Sequence, residues 1–113
     1  MSYSDPCPYT EIKIITLCGS RKFAKVFRAV ELELCKKGVV VLSPVFSSGE
    51  RTAADIRSLN QTHLKKIALA DEILVIDVQG YIGERTRYEI NVAKGWHKQI
   101  RYLSIETSKS HLN

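Results

Sequence analysis

With 113 residues, 44% of them hydrophobic and 26% charged, the chain predicts one globular domain and excludes a multidomain enzyme or a wholly disordered protein. The first ten residues contain an acid and two prolines in place of a basic start and an apolar run, and no segment approaches the roughly 20 apolar residues of a membrane span. We therefore expect a cytoplasmic protein with no membrane partner. A flexible segment at 1–10 would precede a domain at 11–104 and a polar tail at 105–113.

Charge and cysteine content limit the kinds of ligand and partner that the sequence favours. Seventeen Lys and Arg against 12 Asp and Glu give a net charge of +5, which favours an anionic ligand such as a phosphate, although a solvated basic surface is the alternative. The basic residues are scattered and not interleaved with aromatics, so nucleic acid is not an expected partner. Cys7, Cys18 and Cys35 form no Cys-x-x-Cys pair, which argues against a disulfide framework or a zinc site. No metal or cofactor is implied.

The first half of the chain predicts strand, helix, strand and loop. Residues 11–18 have the composition of a buried strand that stops at a Gly-Ser turn. Apolar residues at three- and four-residue steps then predict a helix that Ser20 caps and Gly38 closes: Phe23, Phe27, Val30 and Leu34. Residues 39–43 predict a short apolar strand that a proline ends, and residues 44–54 predict a mobile loop of the kind that often carries binding residues.

The second half repeats the alternation. Residues 55–70 predict a helix whose apolar stripe includes His63, residues 72–78 a third strand, and residues 99–103 a fourth. Between the last two strands, residues 85–95 predict a helix with an inward face: Val92, Ala93 and Trp96. The alternation predicts a three-layer, Rossmann-like (flavodoxin-like) α/β fold with a parallel sheet in the order 2-1-3-4 and helices on both faces. The ligand crevice would lie at the carboxyl ends of strands 1 and 3, where the connections diverge.

The turn after strand 1 is the first candidate for ligand binding. Gly19 lets the backbone approach a ligand, Ser20 stands at the start of a helix whose first N–H groups are free donors, and Arg21 and Lys22 add positive charge for an anion. The segment matches neither a dinucleotide-binding fingerprint nor a nucleoside-triphosphate loop. An ordinary glycine turn with a serine cap is the alternative.

The region after strand 3 supplies a carboxylate. Glu89 lies three residues before Val92 and seven before Trp96, so it falls on the helix face turned toward the sheet. The structural alternatives are a glutamate stabilised by the helix N-terminus or one paired with Arg85. Asp77, at the end of strand 3, could cap helix 3 or line the crevice.

Three aromatic or histidine side chains are further candidates. His63 could be a core or helix-end histidine or a catalytic one. Tyr81 lies in a loop beside the crevice and could stack on a base. Trp96 could be a core residue or a subunit contact, and because so small a domain buries a limited core, we expect a homodimer or a higher homo-oligomer.

At this point the sequence resembles a known family. The runs IITLCGSRKF, HLKKIALADEILVIDVQGYIGERTRYEI and KQIRYL are similar to small bacterial and phage members of the nucleoside 2-deoxyribosyltransferase-like superfamily, which also contains 2'-deoxynucleoside 5'-phosphate N-hydrolases. The resemblance implies that Glu89 matches the glutamate that attacks C1' of the sugar, and that an aspartate of active members is replaced by His63. It also implies two sets of ligand contacts, one on sugar or phosphate and one on phosphate: Gly19, Ser20 and Arg21 in the first turn, and Gly83, Arg85 and Thr86 in the second.

Together these observations predict cleavage or transfer at the N-glycosidic bond of a (deoxy)nucleoside or its 5'-monophosphate. Glu89 would be the nucleophile, and Asp77 or His63 would orient it or deliver a proton to the leaving base. Phe46 or Tyr81 would cover the base. The alternative is a non-catalytic module that binds or senses a nucleotide in the same crevice.

Overall fold

Four parallel strands form the centre of the molecule. The computed structural model describes residues 12–47 and 49–111, so the segment predicted at 1–10 lies outside the described residues. The strand order is β2-β1-β3-β4, as the sequence predicts. The strands are β1 (Ile14–Gly19), β2 (Val40–Leu42), β3 (Glu72–Ile76) and β4 (Gln99–Tyr102). The helices are α1 (Ala24–Lys36), α2 (Ala53–Leu69), α3 (Glu84–Gly95) and α4 (Leu103–His111).

Helices cover both faces of this sheet and define two cores. Every residue of β3 is buried, because a strand covered on both faces has no solvated side. The core beneath α2 and α3 consists of Cys18, Ile67, Ile73, Val75, Ile90 and Ala93. The core beneath α1 consists of Ile15, Leu17, Phe27, Leu74 and Ile76, with Leu103 of α4 packed against it. The predicted three-layer α/β fold is therefore confirmed.

The register of β1 against β3 places the crevice. Cys18 pairs with Val75 and Gly19 with Ile76, so the two strands end side by side. A Cβ on Gly19 would lie 2.9 Å from the carbonyl oxygen of Ile76 and 3.1 Å from the ring of Phe27. Only glycine fits this close approach of β1 to β3. The approach brings the turn after β1 directly beside the turn after β3.

The structure adds a helix after β4 and differs from the sequence pattern just after α3. The segment predicted as a polar tail at 105–113 is helical as far as His111, because Ser104 and Glu106 near the start of α4 are held by side chains of the sheet layer. Trp96 does not face the core but is 46% exposed, because α3 ends at Gly95 and the helical periodicity no longer applies beyond it. None of the helices within the described ranges is long and apolar enough to cross a membrane.

Candidate functional site

A cavity of about 380 Å³ opens at the carboxyl ends of β1 and β3. It lies at the topological switch point, which is where ligands bind in open parallel sheets. The cavity brings together nine of the residues that the sequence predicts for the site: Gly19, Ser20, Arg21, His63, Tyr81, Gly83, Arg85, Thr86 and Glu89. The two predicted turns and the inward face of α3 thus meet around one space.

Lys22 and Phe46 are not among the residues that line this cavity. The Lys22 Nζ atom lies 3.5 Å from the centre of the Tyr81 ring, so its charge interacts with an aromatic face. Phe46 packs edge-on against Phe27, with 5.1 Å between the ring centres, at the rim of the core beneath α1. Lys22 therefore contacts the wall of the site through Tyr81, and Phe46 contributes to packing.

Asp77 also lies away from the cavity, and neither expectation for it holds. Its Oδ1 atom accepts a hydrogen bond from the backbone N–H of Ser104 at 2.8 Å, and its Oδ2 atom accepts one from the Ser104 hydroxyl at 2.7 Å. The carboxylate therefore holds the start of α4 and neither caps α3 nor lines the crevice. Because β3 ends at Ile76, strand alternation no longer determines where the next side chain points.

Glu89 is the carboxylate of the cavity. It is 5% exposed, with Oε2 at 3.4 Å from Nε of Arg85 and Oε1 at 3.8 Å from Nε2 of His63. Burial raises the pKa of Glu89 from 4.5 to about 7, against the opposing effect of the Arg85 charge and hydrogen bond. Glu89 is thus both inward-facing and paired with Arg85, and its protonated and ionised forms are both populated near neutral pH.

His63 lies beside Glu89 and is 6% exposed. Burial and the charges of Lys66 and Arg85 lower the pKa of His63 from 6.5 to about 4, so the imidazole is neutral at neutral pH. Its Nε2 atom is 3.5 Å from Sγ of Cys18, and within the described part of the chain Nδ1 has no hydrogen-bond partner. Burial, with a contribution from Glu89, raises the pKa of the Cys18 thiol well above its usual value.

Two basic residues of the cavity were not predicted as site residues. Arg51, in the loop before α2, lines the cavity and donates from Nη2 to the Ser47 hydroxyl at 2.8 Å. Lys66, in α2, also lines the cavity and donates from Nζ to the Ser43 carbonyl at 2.6 Å. Lys66 could have been found from its position one helical turn after His63, whereas the loop sequence around Arg51 carries no periodicity that fixes its direction.

The charges around the cavity favour an anion. Among the described residues that line it, four are cationic and Glu89 is the one carboxylate. The cations are Arg21, Arg51, Lys66 and Arg85. The first turn of α3 also borders the cavity, and its N-cap, Gly83, offers no side-chain hydrogen bond. N–H groups at such a helix start are suited to phosphate oxygens.

Comparisons with known proteins bear on the fold. No family model matches the chain, and no curated protein matches it. Among solved structures, it is similar to a 2-desoxiribosyltransferase from Leishmania mexicana, with a TM-score of 0.63 and 18% sequence identity over 80% of this chain and 63% of that one. This chain thus spans less than two thirds of the protein it matches. At this identity the similarity concerns the fold alone, and it agrees with the parallel α/β fold that the sequence predicts.

Proposed function

We propose that this protein cleaves or transfers the N-glycosidic bond of a (deoxy)nucleoside or its 5'-monophosphate, with Glu89 as the nucleophile. The observation that carries the proposal is a buried carboxylate facing a cavity whose other charged groups are cations. Burying an ionisable carboxylate lowers the stability of the fold, and carboxylates whose pKa is shifted by burial cluster at functional sites, where the shift serves a chemical purpose. The sequence resemblance and the similarity in fold support glycosyl chemistry as that purpose.

The cavity suits a nucleotide in size and charge. Its volume of about 380 Å³ falls within the range of small-molecule sites. The guanidinium groups of Arg21 and Arg51, together with the start of α3, favour the phosphate of a nucleoside 5'-monophosphate. Tyr81 lies 47% exposed at the wall, where its ring can stack on the base.

The chemistry proceeds in two steps. A carboxylate oxygen of Glu89 bonds to C1' of the sugar as the C1'–N bond breaks; the electron pair passes to the base, which takes up a proton from water. The resulting glycosyl ester is resolved by water in hydrolysis, or by a nitrogen of a second base in transfer. The attacking carboxylate is released in either case.

The neighbours of Glu89 prepare it for attack without donating a proton. Arg85 pairs with Oε2 and favours the ionised carboxylate, which is the nucleophilic form. His63 is neutral near pH 7 and acts as a positioning group, and Asp77 is engaged with α4. Neither His63 nor Asp77 therefore delivers the proton to the leaving base.

One observation favours the alternative of a nucleotide-binding module without turnover. Among the described residues, no second carboxylate lines the cavity beside Glu89, whereas glycosidic chemistry commonly pairs two. A binding module would use the same cations and the same aromatic wall but would release no base.

The test is base release from deoxynucleosides and their 5'-monophosphates, followed by chromatography. We expect the wild-type protein to release free base, and Glu89→Gln to lose at least about 1,000-fold in rate while keeping the ligand-induced rise in Tm. Glu84→Gln is the matched control, because Glu84 is an exposed glutamate of the same helix outside the cavity. Unchanged turnover in Glu89→Gln would refute the nucleophile. Ligand binding by the wild type without base release would establish the binding module instead.

A further inference from the structure

Three potential metal ligands converge at the inner wall of the cavity. The Sγ atom of Cys18, the ring nitrogen of His63 and a carboxylate oxygen of Glu89 all lie within 4.8 Å of one another. They come from β1, α2 and α3, and the residues are 0%, 6% and 5% exposed. The sequence argued against a zinc site because the cysteines are far apart, but this cluster needs only one of them.

We propose that Cys18, His63 and Glu89 form a binding site for Zn²⁺. Tetrahedral zinc holds sulfur at about 2.3 Å and nitrogen or oxygen at about 2.0 Å, so its ligands are about 3.3–3.6 Å apart. The observed separations are 3.5 Å from Sγ to Nε2 and 3.8 Å from Nε2 to Oε1. Small movements of three side chains would therefore place ligand atoms at three of the four corners of a tetrahedron. A thiolate and an imidazole select zinc over magnesium or calcium.

A hydrogen bond between the thiol and the imidazole is the ordinary explanation of the contact between Cys18 and His63. It does not explain why the Glu89 carboxylate lies beside the same ring nitrogen. Within the described ranges, the polar contacts of the His63 ring are made through Nε2, which faces both Cys18 and Glu89. Nε2 carries either one hydrogen or one lone pair, so it can make a well-directed hydrogen bond to only one of the two groups at a time. A cation at the shared point would satisfy all three groups.

The charges also balance. Zinc binding releases the Cys18 thiol proton to solvent, and a proton of Glu89 when that group is protonated. The thiolate and carboxylate then neutralise the two charges of the ion, which removes the cost of a net charge at a buried site. Arg85 contacts Oε2 of Glu89 and leaves Oε1 for the metal. Because His63 and Glu89 line the cavity, an ion can reach the site through it.

Zinc at this position would inhibit the proposed reaction, because it takes the carboxylate oxygen that attacks C1'. Only this consequence depends on the proposed function. The binding site itself depends on the three side chains alone and can be measured without a substrate.

The test uses the folded full chain in a Cys7→Ser/Cys35→Ser background, where Cys18 is the remaining thiol. Co²⁺ is the spectroscopic probe, and a chromogenic chelator competes for Zn²⁺. We expect one ion per chain, a thiolate-to-cobalt charge-transfer band, and loss of that band when Zn²⁺ is added. A folded protein that binds Co²⁺ or Zn²⁺ without a thiolate band, or binds neither, overturns the proposal.

Variants locate the site. We expect Cys18→Ser and His63→Asn each to weaken Zn²⁺ binding by at least about 100-fold. That value is the upper end of the loss seen when a residue that only supports a metal ligand is replaced. His97→Asn is the control, since His97 is exposed and asparagine tolerates its positive φ of 61°. Equal affinity in all three variants would contradict the assignment, and the cobalt band in the background protein decides the question if a variant does not fold. Zinc binding by a protein that releases no base even after a chelator has removed the metal would refute the proposed function and leave this site standing.

Discussion

Replacing Glu89 by glutamine is expected to stabilise the protein above pH 7 and to leave its stability nearly unchanged near pH 4. Burial raises the pKa of Glu89 from 4.5 to about 7 in the folded protein. Between these values the folded chain holds a proton that the unfolded chain has released, so the free energy of unfolding falls as the pH rises through this window. Above pH 7 the wild type carries the full cost of a buried charge, and the variant carries none.

The magnitude follows from the same two values. At about 1.4 kcal/mol for each pH unit between them, ionised Glu89 costs the folded state up to about 3 kcal/mol above pH 7. For a domain of this length that corresponds to a rise in Tm of about 10 °C in Glu89→Gln at pH 8. His63 acts in the opposite sense, because its lowered pKa makes the protein lose stability as the pH falls from 6.5 toward about 4. Comparing variant and wild type at each pH removes most of that contribution.

The assay is thermal or urea unfolding at pH 4, 6 and 8, followed by circular dichroism. Glu84→Gln is again the control: its carboxylate is exposed in the first turn of α3, so its removal should lower stability slightly, by about 0.3–1 kcal/mol. A difference between Glu89→Gln and wild type that is the same at pH 4 and pH 8 would show that Glu89 is not a buried carboxylate of raised pKa.

Three further substitutions test the account of the site. Asp77→Ala should lower the free energy of unfolding by about 1–2 kcal/mol, since it removes the hydrogen bonds at the start of α4. Base release should continue at the wild-type rate. Loss of turnover with unchanged stability would instead indicate a catalytic role for Asp77. Gly19→Ala should cost about 1–3 kcal/mol in urea unfolding, because the new Cβ would meet the carbonyl of Ile76 at 2.9 Å, and a stability equal to wild type would contradict that contact. Arg85→Gln should move the acid limb of the pH–rate profile up by about 1 pH unit, because Arg85 holds the pKa of Glu89 down. If the acid limb did not move, it would not report the ionisation of Glu89.

The sequence by itself determines the fold and the place of the candidate site. Apolar runs alternating with helical periodicity predict the strand order, because both signals are local and a parallel sheet with right-handed connections admits few arrangements. The same periodicity places Glu89 on the inner face of α3, three residues from Val92, and the structure finds it 5% exposed. The turn at Gly19 and the turn at Gly83 meet at the cavity, because both follow the carboxyl ends of neighbouring parallel strands, as the predicted strand order requires.

Periodicity stops being informative where an element ends. Asp77 follows the last residue of β3 and is directed by its contact with Ser104, which lies 27 residues away in the chain. Trp96 follows the last residue of α3 and is exposed. Arg51 enters the cavity from a loop whose sequence repeats nothing. In each case the residue lies outside a strand or helix, so no repeating pattern gives the direction of its side chain.

The cluster of Cys18, His63 and Glu89 shows most clearly what only the tertiary structure decides. Its thiol and imidazole are 45 residues apart in the chain and 3.5 Å apart in space. A strand and two helices must pack before the three groups share one environment, and only then does burial move their pKa values in different directions. Residue types and local pattern determine which side chains face inward, but desolvation and charge depend on every neighbour that the fold brings together.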